Sequence, residues 1–88
     1  MDRFGVKFEV GQFIVYDDQI YFLTRIAKSH LEGMNVVFYR DMYTKKPSSY
    51  HVYQMPSKLK TWRNAIVLPV EMVMFGEEIK EKYGSNQL

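Results

Sequence analysis

The residues best suited to chemistry lie in one stretch, Thr44 to Asn64, which reads TKKPSSYHVYQMPSKLKTWRN. It holds Lys45, Lys46, Lys58, Lys60 and Arg63 and no acidic residue. Tyr50, His51, Tyr53 and Trp62 are interleaved with those cations. The flanks are slightly acidic: six Asp/Glu against five Lys/Arg before it, four against two after it. The segment has two readings: a solvated hairpin whose lysines keep the protein soluble, or a binding site, since cations beside flat rings suit an anion that carries rings. The cations attract phosphate whatever the base sequence. A ring stacked on a base adds about 1–3 kcal/mol.

Arg40 stands out within an otherwise apolar strand face. One reading is an Arg whose stem lies along the barrel rim, or one paired with a carboxylate such as Glu71. The other is an anion clamp at the mouth of a pocket, since guanidinium presents parallel donors to phosphate. Tyr43, close by, joins the candidate ligand-binding set. Trp62 has two readings, core filler or ligand platform. The lysines that would share its face on an extended strand favour the platform.

Catalytic readings fare poorly. His30 and His51 are not spaced as a metal pair, and there is no cysteine. Asp17-Asp18 could hold a hard cation but reads as turn chemistry. Ser29-His30 and Ser48-Ser49-Tyr50-His51 place hydroxyls near imidazoles, yet near-adjacent residues rarely have nucleophile–base geometry. No phosphate-binding glycine loop occurs. Glu77, Glu78 and Glu81 with Lys80 and Lys82 read as a solvated helix face. The expectation is a non-enzyme with no cofactor and no metal.

Eighty-eight residues form one domain. A chain this short buries about 60–65% of its unfolded surface, a modest core. Self-association is therefore expected, as a homo-oligomer. Absence of cysteine fits a reducing compartment. No apolar run approaches the roughly 18 residues that span a bilayer. The N-terminus lacks the apolar stretch of a signal peptide. A cytoplasmic protein with no membrane partner is expected.

The elements that must position these residues are mostly strands. Residues 1–10 form an N-terminal segment. Residues 12–17 alternate, with Phe13 and Val15 on one face and Gln12, Ile14 and Tyr16 on the other. Asp17-Asp18 marks a hairpin turn, and 19–28 return with Ile20, Phe22, Thr24 and Ile26 on one face. Residues 29–33 read as a turn. Residues 34–43 read as a strand, with Met34, Val36, Phe38, Arg40 and Met42 pointing one way. Residues 44–49 form a loop in which Pro47 stops pairing. Residues 50–55 form a fourth strand. Residues 58–63, if extended, put Lys58, Lys60 and Trp62 on one face, and 65–68 form a short strand. A helix spans 69–84: Pro69 and Glu71 suit its first turn, and Met72, Phe75, Ile79 and Tyr83 recur at helical spacing. Gly76 argues for a later start, and Gly84 for the stop. The last four residues are expected to fray. Met42, Met55, Met72 and Met74 read as core filler or an oligomer contact.

Taken together, Tyr16 and Tyr21 around the first turn, Ala27 and Ser29, the run Val37, Tyr39, Arg40, Met42 and Tyr43, and the closing Pro69, Glu71 and Met72 carry a pattern. It resembles a family of short bacterial and phage domains expected to form small SH3-like barrels. The resemblance covers about two-thirds of the chain. Asp17-Asp18 replaces the glycine-containing turn of that pattern, and the stretch from Tyr43 to Leu68 is longer. The resemblance supplies no catalytic residue.

The expected fold is mainly β: a small, strongly bent antiparallel sheet or SH3-like barrel with one C-terminal helix. The expected function is non-catalytic binding of an anionic, ring-bearing ligand. A nucleotide-type small molecule in a pocket and a single nucleic-acid strand on the surface are both candidates. A phage origin, which the resemblance permits, would suit sequestration of a host nucleotide signal in an anti-defence role. The competing class is a protein–protein inhibitor or adaptor that binds a host protein through the sheet edge and Tyr39, Tyr43 and Trp62.

Overall fold

The computed structural model describes residues 2–3, 6–68 and 72–84, with side chains over 7–68 and 72–83. Two short strands, β1 (Asp2–Arg3) and β2 (Val6–Lys7), pair antiparallel at the N-terminus. The main sheet begins with β3 (Phe13–Tyr16) and β4 (Gln19–Ile26). Asp17 and Asp18 join them in the left-handed region, at φ 52° and 62°. Two left-handed residues are what a tight hairpin needs to match strand twist.

The long strand β5 (Leu31–Arg40) pairs with β4 on one side. The register shifts between Leu23 and Arg25, leaving Thr24 as the extra residue. Its hydroxyl donates to the Glu32 carbonyl at 3.2 Å. The bulge moves Ile26 off the face of Ile20 and Phe22, contrary to simple alternation. Ile26 packs with Leu23 instead.

β6 (Pro47–Val52) and β7 (Ser57–Leu59) pair with the other side of β5. They are one broken strand. From Val36 to Gly33 is three steps along β5, while their partners Val52 and Ser57 are five apart. The surplus is accommodated by the irregular stretch 53–56. Pro47 opens β6 rather than ending pairing, a position where a missing donor is tolerated on an edge strand.

After β7 the chain turns into a 3-10 turn, Trp62–Asn64, and then β8 (Ile66–Val67), which pairs with β3. Residues 58–63 are therefore not one strand, and Lys58, Lys60 and Trp62 do not share a face. The order β6-β5-β4-β3-β8, with β7 beside β5, makes a bent antiparallel sheet that fits an SH3-like barrel.

The helix α1 (Val73–Ile79) continues as a wider, π-type turn, Lys80–Gly84. Gly76 lies inside α1, because its backbone sits close to Phe13 and no side chain would fit easily. Pro69 and Glu71, expected to start the helix, lie outside the described residues, as do residues 85–88. Among the described residues no helix is long and apolar enough to cross a membrane.

Both sheet faces carry apolar clusters. One, around Phe13, Phe22, Met34 and Val36, is covered by Met72, Phe75 and Ile79. The other joins Ile14, Leu23 and Leu31 to Phe8, Leu59 and Trp62. The helix face read from spacing is thus the covering face.

Candidate functional site

Asp41 organises the turn between β5 and β6. Its carboxylate accepts the Tyr43 and Thr44 N–H groups at 2.7 and 3.0 Å. The Lys45 N–H donates to the Asp41 carbonyl at 2.9 Å, and the Asp41 N–H to the Lys46 carbonyl at 3.0 Å. Lys45 adopts φ 63°, so the chain doubles back toward β6. The backbone donors from Thr44 and Tyr43 hold the Asp41 carboxyl below its ordinary pKa. The short loop 41–46 is thus held chiefly by the Asp41 side chain, with the Thr44 hydroxyl accepting the Lys46 N–H at 3.3 Å, and it sets Lys45 and Lys46 beside Arg40.

These three cations rim a cleft of ≈ 830 Å³. Its floor is apolar: Ile20 from β4, Phe38 from β5, Leu68 after β8, and Met72, Met74 and Phe75 from the helical region. The Phe38 and Phe75 rings meet at 62° with centroids 5.2 Å apart. Among the described residues no carboxylate lines this cleft, and the ion pairs, Arg25–Glu32 and His30–Glu32, leave its cations unengaged. Glu71, the carboxylate considered for Arg40, lies outside the described residues.

The remaining sequence candidates are dispersed. Tyr50 faces the helix, its ring 5.6 Å from that of Phe75. Burial, and then the Glu78 charge, push its hydroxyl pKa up. His51 lies on the opposite sheet face, its ring perpendicular to that of Tyr53 at 5.3 Å. Tyr43 is 95% exposed at the turn tip, outside the cleft lining. Lys58 pairs in register with Glu32, which already bonds Arg25 at 2.8 Å and His30 at 3.0 Å. Glu32 and Arg40 are eight residues apart on one strand, roughly 26 Å along its path. Lys58 is thus at the far end of β5 from the cleft, and the exposed Lys60 follows it in the turn after β7.

Trp62 is a core residue, only 2% exposed. It cannot stack on a ligand as it stands. Arg63 lies over its ring at 5.6 Å, so that cation covers the core. The chain turns at Lys60-Thr61, which breaks the alternation that would have put Trp62 with the lysines. The basic segment does not converge on one patch: its first two lysines join Arg40, and its last three cations do not.

The cleft floor escaped the sequence reading. Phe38 precedes Arg40 by two on the same strand face, which was the available signal. Met72 and Phe75 were legible as a buried stripe, but not that the stripe stops short of Arg40 and leaves a gap. No cluster of His, Cys, Asp or Glu able to hold a metal occurs among the described residues. No protein-family model, curated protein or solved structure matches the chain.

Proposed function

We propose that the chain binds a nucleotide-type small molecule in the cleft between the loop 41–46 and α1, without converting it. The observation that carries this reading is the pairing of Arg40, Lys45 and Lys46 with an apolar floor containing Phe38 and Phe75. The cations supply charge-assisted donors to phosphate, and the floor supplies an apolar bed for a base. The cleft volume lies in the usual small-ligand range of about 300–1,000 Å³.

A long nucleic-acid strand is the weaker form of this reading. It would need a continuous cationic track. Lys58, Lys60 and Arg63 do not continue the line of Lys45 and Lys46. In a phage setting, such a binder would withdraw a host nucleotide signal by holding it.

The test is native mass spectrometry of the purified chain, followed by thermal melts with nucleoside mono-, di- and triphosphates. Binding to the folded state raises the melting temperature by mass action. The reading holds if a nucleotide does this and Lys46→Glu removes the effect. It fails if no nucleotide shifts the melt of the unaltered chain.

A further inference from the structure

β6 is an edge of the sheet, with no strand beyond it among the described residues. The Tyr53 N–H donates to the Asn35 carbonyl at 3.0 Å. Asn35 and Tyr53 are thus a bonded antiparallel pair, and alternation makes Val37–His51 bonded as well. The N–H and C=O groups of Tyr50 and Val52 therefore point away from β5, toward the open edge.

Edges of this kind are ordinarily blunted by lysine, by a bulge or by a covering element. β6 has one bulge, at Ser48 between the Tyr39–Ser49 and Arg40–Pro47 pairs, and runs in regular register from Ser49 to Val52. Residues 47–57 contain no Asp, Glu, Lys or Arg, the longest such run in the chain. The edge also has a wall. A groove of ≈ 540 Å³ runs between residues 48–52 and the helical side chains Met74, Phe75, Glu78, Lys82 and Tyr83. It opens into a second lobe bordered by Tyr50, Glu78, Glu81 and Lys82. On the opposite sheet face, beside the same edge, Val37, Tyr39 and Tyr53 are exposed. A strand laid on β6 would set alternate side chains in the groove and on this aromatic face.

We propose that β6 receives an extended peptide segment of a partner protein as an added strand, with a Lys or Arg side chain of that segment reaching Glu78 and Glu81. The charge of the lobe selects the occupant. Two carboxylates and one ammonium border it, and that ammonium, Lys82, lies 5.9 Å over the Tyr83 ring. A second copy meeting edge to edge about Tyr50 would instead bring its own Glu78 and Glu81 against the same lobe. The proposal is independent of the cleft reading. Met74 and Phe75 line both hollows and separate them, and no cleft cation borders the groove.

The test pans a display library of random decapeptides against the full chain, then synthesises the enriched peptide. The expected motif alternates apolar side chains and carries a Lys or Arg. Methylating alternate backbone nitrogens of that peptide should weaken binding at least about tenfold in one phase and little in the other. Glu78→Lys should weaken the basic peptide about tenfold and favour acidic ones, with the melt of the free chain unchanged. Backbone amide shifts should map to residues 48–52. Absence of any enriched peptide, binding indifferent to methylation, or a free chain that sediments as a dimer with protected β6 amides would each overturn the proposal.

Discussion

The rings of Phe8 and Trp62 meet at 88°, with centroids 5.5 Å apart, and both are buried. That contact ties the residue just after β2 to the turn before β8. It also places the indole within the second apolar cluster. Trp62→Ala should therefore cost about 3–5 kcal/mol, a large share of the stability of a small domain. Trp62→Phe should cost less. As the sole tryptophan, it should emit as a buried indole and resist quenching by iodide. A nucleotide in the cleft should leave that emission unchanged. Emission spectra and thermal melts of the two variants check these outcomes.

The Asp17-Asp18 turn places two residues with a Cβ in the left-handed region, which costs most residues roughly 1–2 kcal/mol and short Asp side chains less. Asp18→Gly relieves one of them without altering a buried contact, since Asp18 is exposed. Glycine's larger unfolded-state freedom offsets part of the gain. A net stabilisation of about 0.5–1 kcal/mol is expected, read as a melting temperature several degrees higher.

Gly33 shows the opposite case. A Cβ there would meet the Phe22 carbonyl oxygen at 3.1 Å and the Tyr21 Cβ at 3.1 Å. Both belong to the paired strand β4, so neither can yield without moving the sheet. Gly33→Ala should destabilise by about 1–3 kcal/mol, although alanine suits a strand better than glycine does. Denaturant unfolding would show a lower midpoint with an unchanged slope.

The strand faces of β3 and β5 were legible because alternation needs no tertiary knowledge. Phe13 and Ile14 part to opposite clusters as their spacing implied, and Met34, Val36 and Phe38 stay together. The Asp pair announced its turn. What alternation could not register was each place where the chain adds a residue. Thr24 bulges and sends Ile26 to the other face. The stretch 53–56 offsets β7 from β6, and Lys60-Thr61 turns Trp62 inward. For the same reason the site was only half visible. Arg40, Lys45 and Lys46 are close in sequence and meet through a local turn, whereas, Phe38 apart, their apolar floor comes from β4, from Leu68 after β8 and from the helical region. The later cations of the basic segment would be neighbours only if the chain stayed extended through Lys60-Thr61, where it turns instead.

Two carboxylates should make the chain somewhat less stable in acid. Glu32 is held below its ordinary value of 4.5, first by the hydrogen bond to His30 and then by Arg25. Asp41 is held below 3.8 by backbone donors from Thr44 and Tyr43. Each folded pKa lies below its unfolded counterpart. Their stabilising contributions are complete above about pH 4.5 and are lost as pH falls through the lower folded values. Stability should change little on account of these groups from neutrality to that point, then decline. Glu32→Gln should be less stable at neutral pH and show a shallower acid limb. Denaturant midpoints across pH 2–7 would measure both, and an acid limb as steep as the parent's would count against Glu32.

Asp41 also offers a way to separate charge from position in the cleft. Lys46→Glu reverses a rim charge, and a lost charge-assisted bond to phosphate is worth about 1.5–3 kcal/mol, or roughly ten- to a hundredfold in affinity. Asp41→Ala changes no cleft-lining residue. It removes the acceptor for the Tyr43 and Thr44 N–H groups and lets the turn relax, so Lys45 and Lys46 lose their fixed placement. Nucleotide affinity should fall about tenfold even though the deletion of an anion makes the neighbourhood more positive. Pure electrostatics predicts the reverse, a gain in affinity. Asp41→Asn retains one side-chain acceptor oxygen and should recover most of the loss. Titration of the three variants with the nucleotide that gives the largest melt shift decides between the two. If Asp41→Ala binds more tightly than the parent, the turn contributes no positioning, and the rim cations act as charge alone.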